Sequence, residues 1–163
     1  MYRNILLFTA TLLTSLSAGL LFAYACSVNL GLHRLPDQAY LSAMQEINRA
    51  IQNPPFFLCF MGPVVLLPAS AWMQRRQAGA FRWLLLATVF YLVGVFGVTM
   101  AGNVPLNQAL DGFDITSANL DGLAKQRAAF EGPWGNWHLV RTVAAILAAS
   151  FALAAIVFSK KAE

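Results

Sequence analysis

Trp134, His138 and Arg141 fall at i, i+4 and i+7 in the run Trp134-Gly135-Asn136-Trp137-His138-Leu139-Val140-Arg141. On a helix they share one face, with Trp137 one step around it, so an indole, an imidazole and a guanidinium converge. An imidazole can move a proton, a guanidinium can hold an oxyanion, and indoles can hold a flat ring. A second polar run, Asn103-Val104-Pro105-Leu106-Asn107, precedes it with Asp111 shortly after. A guanidinium carries five donors and no acceptor, so Arg141 needs partners, and Asn103, Asn107 and Asp111 are the candidates. The alternative is an interfacial anchor, because Trp is enriched at membrane boundaries and Arg there can snorkel to water.

His33 and His138 are the two histidines, and a pair of histidines can ligate a haem or a metal. The spacings that mark such sites, HxxxH, CxxCH or a carboxylate-rich helix, are missing, so neither metal nor cofactor is expected. Hydrolytic nucleophile motifs, phosphate-cradling glycine loops and paired intramembrane carboxylates are also missing. Hydrolase, NTPase and proton-pump chemistry are poor readings of this chain.

The elements that must position these side chains are four apolar runs at about residues 4–28, 54–73, 82–102 and 138–158. About 20 apolar residues are needed to cross a hydrocarbon core of about 30 Å, and each run meets that length. With 58% hydrophobic and 11% charged residues and a mean hydropathy of +0.59, too few charges remain to coat a soluble domain. In lipid each segment must satisfy its own backbone, which selects helices. The expected architecture is therefore an all-α integral membrane four-helix bundle, one domain over residues 1–163.

The +4 charge is distributed as a topology signal and not as a nucleic-acid footprint. Arg3, Arg75, Arg76, Arg82, Lys160 and Lys161 share one side with a single acid, Glu163. The opposite side mixes Arg34, Arg49, Lys125, Arg127 and Arg141 with Asp37, Glu46, Asp111, Asp114, Asp121 and Glu131. The positive-inside rule then makes both termini cytoplasmic and both long connections, 29–53 and 103–137, external. A cleaved signal is the competing reading of the N-terminus, since Ala23-Tyr24-Ala25 has the small-x-small form before Cys26. The apolar run of about 21 residues exceeds the roughly 7–15 of a signal. Cys26 and Cys59 sit at similar depth, where they can pair on an oxidising side or remain two buried thiols.

Within the connections, Pro36-Asp37 opens a helical pattern with Tyr40, Met44, Ile47 and Ile51 on one stripe, and Asn53-Pro54-Pro55 stops it. The 116–130 segment reads as another short helix, with Leu120, Leu123 and Ala124 on one side. Together they can roof an outward-facing pocket. Small residues at near-helical repeats, Ser15/Gly19/Ala23, Gly94/Gly97 and Ala144/Ala148/Ala152, allow close helix approach, and Pro63 and Pro68 predict a kinked second span.

The Asn103-x-Pro105-x-Asn107-x-x-Leu110 run closing one span and Trp134-x-x-Trp137-x-x-x-Arg141 opening the next resemble the DUF1772 or anthrone-oxygenase-like family of small four-span membrane proteins. Residues 44–54, Met44-Gln45-Glu46-Ile47-Asn48-Arg49-Ala50-Ile51-Gln52-Asn53-Pro54, are similar to that family's segment before its second span. Most such proteins are bacterial and of unknown function, implying a bacterial inner membrane. Some fungal members are implicated in oxidising polyketide anthrones to anthraquinones with molecular oxygen and no evident metal or flavin. The resemblance implies a lipophilic aromatic or quinol ligand bound by Asn48, Asn103, Asn107, Trp134 and Trp137, with His138 and Arg141 catalytic, although the family motif does not require histidine at 138. The rival readings are a non-catalytic membrane scaffold or small subunit binding lipid or a partner protein, and a haem- or quinone-binding redox subunit.

The charge asymmetry makes a direct prediction. Cysteines introduced into the 111–131 connection should react with impermeant thiol reagents from outside the cell while those in 74–80 stay protected, and the reverse labelling would invert the topology.

Overall fold

The computed structural model describes residues 2–158; Lys160, Lys161 and Glu163, which entered the charge argument, lie outside the described residues. Five helices make up the fold: α1 (Tyr2–His33), α2 (Asp37–Ala50), α3 (Pro54–Met73), α4 (Ala78–Asp111) and α5 (Leu120–Val157). All but α2 are long and apolar enough to cross a membrane. The spans pack cyclically, α1 on α3, α3 on α4, α4 on α5 and α5 on α1, which is what short up-and-down connections dictate. The chain is an integral membrane four-helix bundle, with α2 laid across the end that carries the long connections.

Two helices exceed the expected spans. α4 continues past Asn103 to Asp111, and α5 starts at Leu120, so the expected separate helix over 116–130 is the first part of one 38-residue helix. At 1.5 Å per residue that helix is about 57 Å long, nearly twice a hydrocarbon core. Asn119 caps its start by accepting from the Gly122 N–H at 2.8 Å, and it runs through Pro133. A proline inside a helix costs about 3 kcal/mol, which burial of Leu123, Phe130 and Trp134 on one helical face offsets.

The core divides into two clusters. The lower one is made of leucines, Tyr91, Val95 and the alanines 144, 145, 148, 149, 152 and 155 of α5, whose small side chains bring the helices close. A Cβ added at Gly94 would lie 2.5 Å from the Ala144 Cβ, so the α4–α5 crossing needs glycine there. Tyr91 is fully buried; its hydroxyl donates to the Phe60 carbonyl at 2.8 Å and lies 3.0 Å from Ser17 Oγ, linking α4, α3 and α1. The expected Ser15/Gly19/Ala23 contact is absent from the bundle: Gly19 faces open space, and α1 buries Leu7, Ala10, Thr14, Ser17, Ala18 and Leu21 instead. Cys26 and Cys59 are free thiols.

The upper cluster is the roof. Tyr40, Leu41 and Met44 of α2 pack with Leu110, Ile115, Leu123, Phe130 and Trp134. Gln45 donates to the Leu110 and Phe113 carbonyls at 2.8 and 3.0 Å, and Arg49 Nε meets Asp111 at 2.8 Å. Asp114 accepts from Thr116 and Ser117, bonds that hold its carboxyl down at about 2 and fix the turn into α5. Arg127, 14% exposed, fastens the assembly: it donates to the His33 and Leu35 carbonyls, to Asp37 and to Glu131, all within 2.9 Å, and lies over the Tyr40 ring. Burial, and then the Glu131 charge, keeps the Tyr40 phenol above its ordinary range, hence neutral.

Arg127 therefore joins the end of α1, the start of α2 and α5. Arg127→Met should lower stability by about 2 kcal/mol, since it orphans Asp37 and two carbonyls. Limited proteolysis should report it as faster cleavage in residues 33–53, with the spans intact.

Candidate active site

Below the roof, three helices contribute to one cluster of rings and polar groups. Trp134 and His138, successive turns of α5, stack with ring centroids 4.9 Å apart and planes 10° apart. Tyr24 meets the Trp134 ring at a tilt, at 5.8 Å, and the His138 ring edgewise, at 5.6 Å, and its hydroxyl donates to Met44 Sδ of the roof at 3.7 Å. Arg141 lies over the Trp134 ring at 5.2 Å. Trp134 and His138 are 4% and 2% exposed, so the roof and the bundle together shut out solvent.

Two π-helical turns position the side chains that face α5. Tyr24–Val28 interrupts α1 and Thr99–Asn103 interrupts α4, following another over Phe90–Gly97. A π turn is wider than an α turn, interrupts α-helices in single turns, and is frequent at functional sites. Residues at the two ends of the Thr99–Asn103 turn both reach α5: Thr99 Oγ1 accepts from Arg141, and Asn103 Nδ2 donates to the Trp134 carbonyl at 3.1 Å. The extra residue in the turn also lets Pro105 fall in the first turn of the resumed α-helix, where its missing N–H does least harm. Helix geometry thus explains why the asparagine-proline run continues α4 rather than ending it.

The asparagines do not bind Arg141, contrary to expectation. Asn107 Oδ1 accepts the Trp134 indole N–H at 2.8 Å and Asn103 holds the Trp134 backbone, so both fix Trp134. Asp111 is taken by Arg49. Arg141 instead contacts His138 Nδ1 at 3.1 and 3.3 Å and Thr99 Oγ1 at 3.4 Å, and among the described residues it has no carboxylate partner. A guanidinium has donors only, so His138 Nδ1 accepts from Arg141 and the ring proton belongs on Nε2, which faces the Thr142 hydroxyl at 3.4 Å.

The remaining expected residues are elsewhere. Trp137 is 43% exposed and covers Gly102, whose Cβ would come 2.6 Å from its ring, so it closes the α4–α5 crevice from outside. Asn48 lies on α2, one turn past Met44, its Nδ2 buried without a partner. His33 pairs with Glu131, two helical turns above His138. Among the described residues no three His, Cys, Asp or Glu side chains converge as a metal site. Tyr24, Met44, Thr99 and Thr142 complete the cluster; Met44 could be read as part of the apolar stripe of α2, whereas Tyr24, Thr99 and Thr142 lie inside apolar helical runs and are placed by register alone.

Fold and site define a four-span membrane protein with a roofed, packed aromatic cluster that holds one imidazole and one buried cation. The family model described as anthrone oxygenase matches residues 56–151, and the chain belongs to that family. The match contains Thr99, Asn103, Asn107, Trp134, His138 and Arg141, while Tyr24 and Asn48 fall before it. No curated protein and no solved structure matches the chain.

The asparagine contacts can be tested through Trp134. Asn107→Leu leaves a buried indole N–H unpaired and should destabilise the bundle by about 1–3 kcal/mol. Asn107→Asp, which keeps an acceptor, should restore most of it, and unchanged melting of the leucine variant would show that the bond contributes nothing.

Proposed function

We propose that the protein is a cofactor-independent oxygenase acting on a lipophilic aromatic or quinol, and that Arg141, His138 and Trp134 form its active site. Arg141 carries the reading: a guanidinium over the Trp134 ring, with only neutral partners at 3.1–3.4 Å, keeps part of its donor set and its whole charge for a ligand. A dry site of that kind favours an oxyanion, and preorganised donors at developing negative charge are commonly the largest catalytic contribution.

In the proposed reaction a hydroxylated aromatic substrate brings its oxygen to Arg141 and His138 Nδ1, replacing the direct contact of 3.1 Å that these two side chains make without it. Nδ1 takes a proton from the activated C–H or O–H, and the electron pair left behind delocalises onto the oxygen held by Arg141. Dioxygen adds at the ring methylene to give a hydroperoxide, which loses water. One atom of dioxygen becomes the new carbonyl oxygen and the other leaves in water, so methylene plus dioxygen gives ketone plus water. His138 and Arg141 touch substrate; Asn103 and Asn107 position Trp134. The excess of basic residues at the opposite end supports placing this site toward the outer face of the membrane, with both termini cytoplasmic.

Oxygen uptake by the purified protein in detergent or nanodiscs, with a dihydroxyanthrone as substrate, tests this reading. His138→Ala should lower kcat by about 10²–10⁴-fold, and Arg141→Lys should retain more activity than Arg141→Leu because a point charge replaces only part of the planar fork. Turnover equal in all three variants and in wild type, or bound lipid alone with no aromatic ligand, would make the cluster a structural element of a non-catalytic scaffold.

A further inference from the structure

At the end of the bundle opposite the roof, positive charge stands without compensation. No Asp or Glu precedes Asp37 in the chain, and none lies between Pro54 and Leu110. Arg3, Arg75, Arg76 and Arg82 accordingly meet no carboxylate among the described residues. The roof end of the same chain does the reverse, since Arg49, Lys125 and Arg127 each pair with an acid.

The four arginines gather around one turn. The Gln77 N–H donates to the Gln74 carbonyl at 2.8 Å, closing a tight turn whose central residues are Arg75 and Arg76, both exposed. Arg3 reaches this turn from the start of α1: with its amide oxygen facing the cation, Gln77 accepts from Arg3 Nη1 and Nη2 at 3.1 and 3.2 Å. Arg75 is fixed from the α3 side, donating to the Trp72 carbonyl at 2.9 Å with its guanidinium 4.4 Å over the Trp72 ring. Arg82 follows one turn inside α4. The start of α4 adds partial positive charge, because Gln77 supplies no side-chain cap, no acid lies in the first turn, and the exposed Ala78 and Gly79 have N–H groups without an intrahelical acceptor. Gln74, 2% exposed, leaves its Nε2 without an acceptor as well. Trp72, 67% exposed, and Trp83, stacked on Phe151 and Phe158, set the depth of the turn at the membrane boundary, where indoles collect.

We propose that the 74–82 turn, together with Arg3, binds the phosphate of an anionic phospholipid. A guanidinium meets a phosphate through two parallel N–H···O bonds, and a helix N-terminus receives one through its backbone N–H groups. Both kinds of donor are present here, at the depth where a bilayer carries its phosphates. A zwitterionic headgroup brings its own cation into the cluster, so the site selects lipids of net negative charge, as basic clusters flanking a span commonly do. Topology alone asks for basic residues at this end, but it does not ask for the bonds that hold Arg3 and Arg75 in place. The lipid site shares no residue with the proposed active site, and neither depends on the other.

The probes are dioctanoyl phosphatidylglycerol and dioctanoyl phosphatidylcholine, titrated onto the full chain in a neutral detergent with bound lipid counted by native mass spectrometry. Wild type should bind the anionic lipid more tightly by about tenfold or more. Each arginine beside an anionic surface contributes about fivefold, so Arg75→Gln with Arg76→Gln should weaken phosphatidylglycerol binding about 25-fold and leave phosphatidylcholine unchanged. Arg82→Gln alone, which leaves the turn itself untouched, should weaken it about fivefold. Arg34→Gln with Lys125→Gln removes the same charge at the roof and should bind both lipids as wild type does. Equal affinity of wild type for the two lipids overturns the proposal. An equal loss in the roof variant also overturns it, because net charge and not the turn would then set the preference. Displacement of bound phosphatidylglycerol by an equal concentration of glycerol 3-phosphate overturns the assignment to lipid and makes the turn a site for soluble phosphate.

Discussion

A positive charge inside a helical bundle constrains everything near it. Burying a guanidinium without compensation is costly even on insertion scales, which assign about 2.5–3.5 kcal/mol at mid-membrane. The usual remedy is a carboxylate, and among the described residues none pairs with Arg141. Its charge is spread instead over a stacked indole, an imidazole nitrogen and a threonine oxygen. Each of these compensating groups must then be held rigidly, and the contacts of the upper half of the molecule do that. Asn103 and Asn107 hold Trp134 at backbone and indole, the Thr142 hydroxyl faces the imidazole Nε2, and Tyr24 closes the remaining side.

The same constraint accounts for the roof. An interaction between a cation and weak neutral partners persists only where water cannot compete, since water would outbid every one of them. Tyr40, Leu41 and Met44 supply that exclusion, and Tyr24 links the cluster to the roof through Met44. The roof is fastened at both ends by ionic contacts, Arg49 to Asp111 and Arg127 to Asp37 and Glu131. Exposed ion pairs contribute little, so Arg49 sets register, whereas Arg127, nearly buried and with four acceptors, does the fastening.

Much of the fold was legible because membrane crossing leaves a strong mark. The four apolar runs, the helix from Asp37 and its stop at Asn53-Pro54-Pro55 can all be read from residue type and periodicity. The face shared by Trp134, His138 and Arg141 was legible too, since it depends only on 3.6-residue spacing within one helix. What spacing could not supply was partner identity. Asn103 and Asn107 were assigned to Arg141 on polarity, but the π turn over Thr99–Asn103 rotates Thr99 into that role and turns the asparagines toward Trp134. A π turn has no sequence signature comparable to a glycine or proline, so Tyr24 and Thr99 went unread as site residues. The helix over 116–130 was expected to stand apart from the fourth span, but burial of Phe130 and Trp134 on either side of Pro133 carries one helix through.

An arginine already neutralised by aspartate would enter a reaction with its charge committed, and a substrate oxyanion would have to displace that carboxylate. Here the partners are neutral, so an oxyanion arriving at Arg141 meets an uncompensated charge and gains from it fully. His138 Nδ1, which now accepts from Arg141, is also the atom that would receive a proton. Protonation would place two positive charges side by side unless a negative oxygen lies between them. Proton transfer to His138 is thus favourable only when the ligand becomes an anion in the same place, which couples the base to the oxyanion site through the one contact, Arg141 to Nδ1, that the ligand must open. That coupling is a property of the i, i+3 placement of His138 and Arg141 on one helix, and it fails for any ligand that cannot carry negative charge next to both.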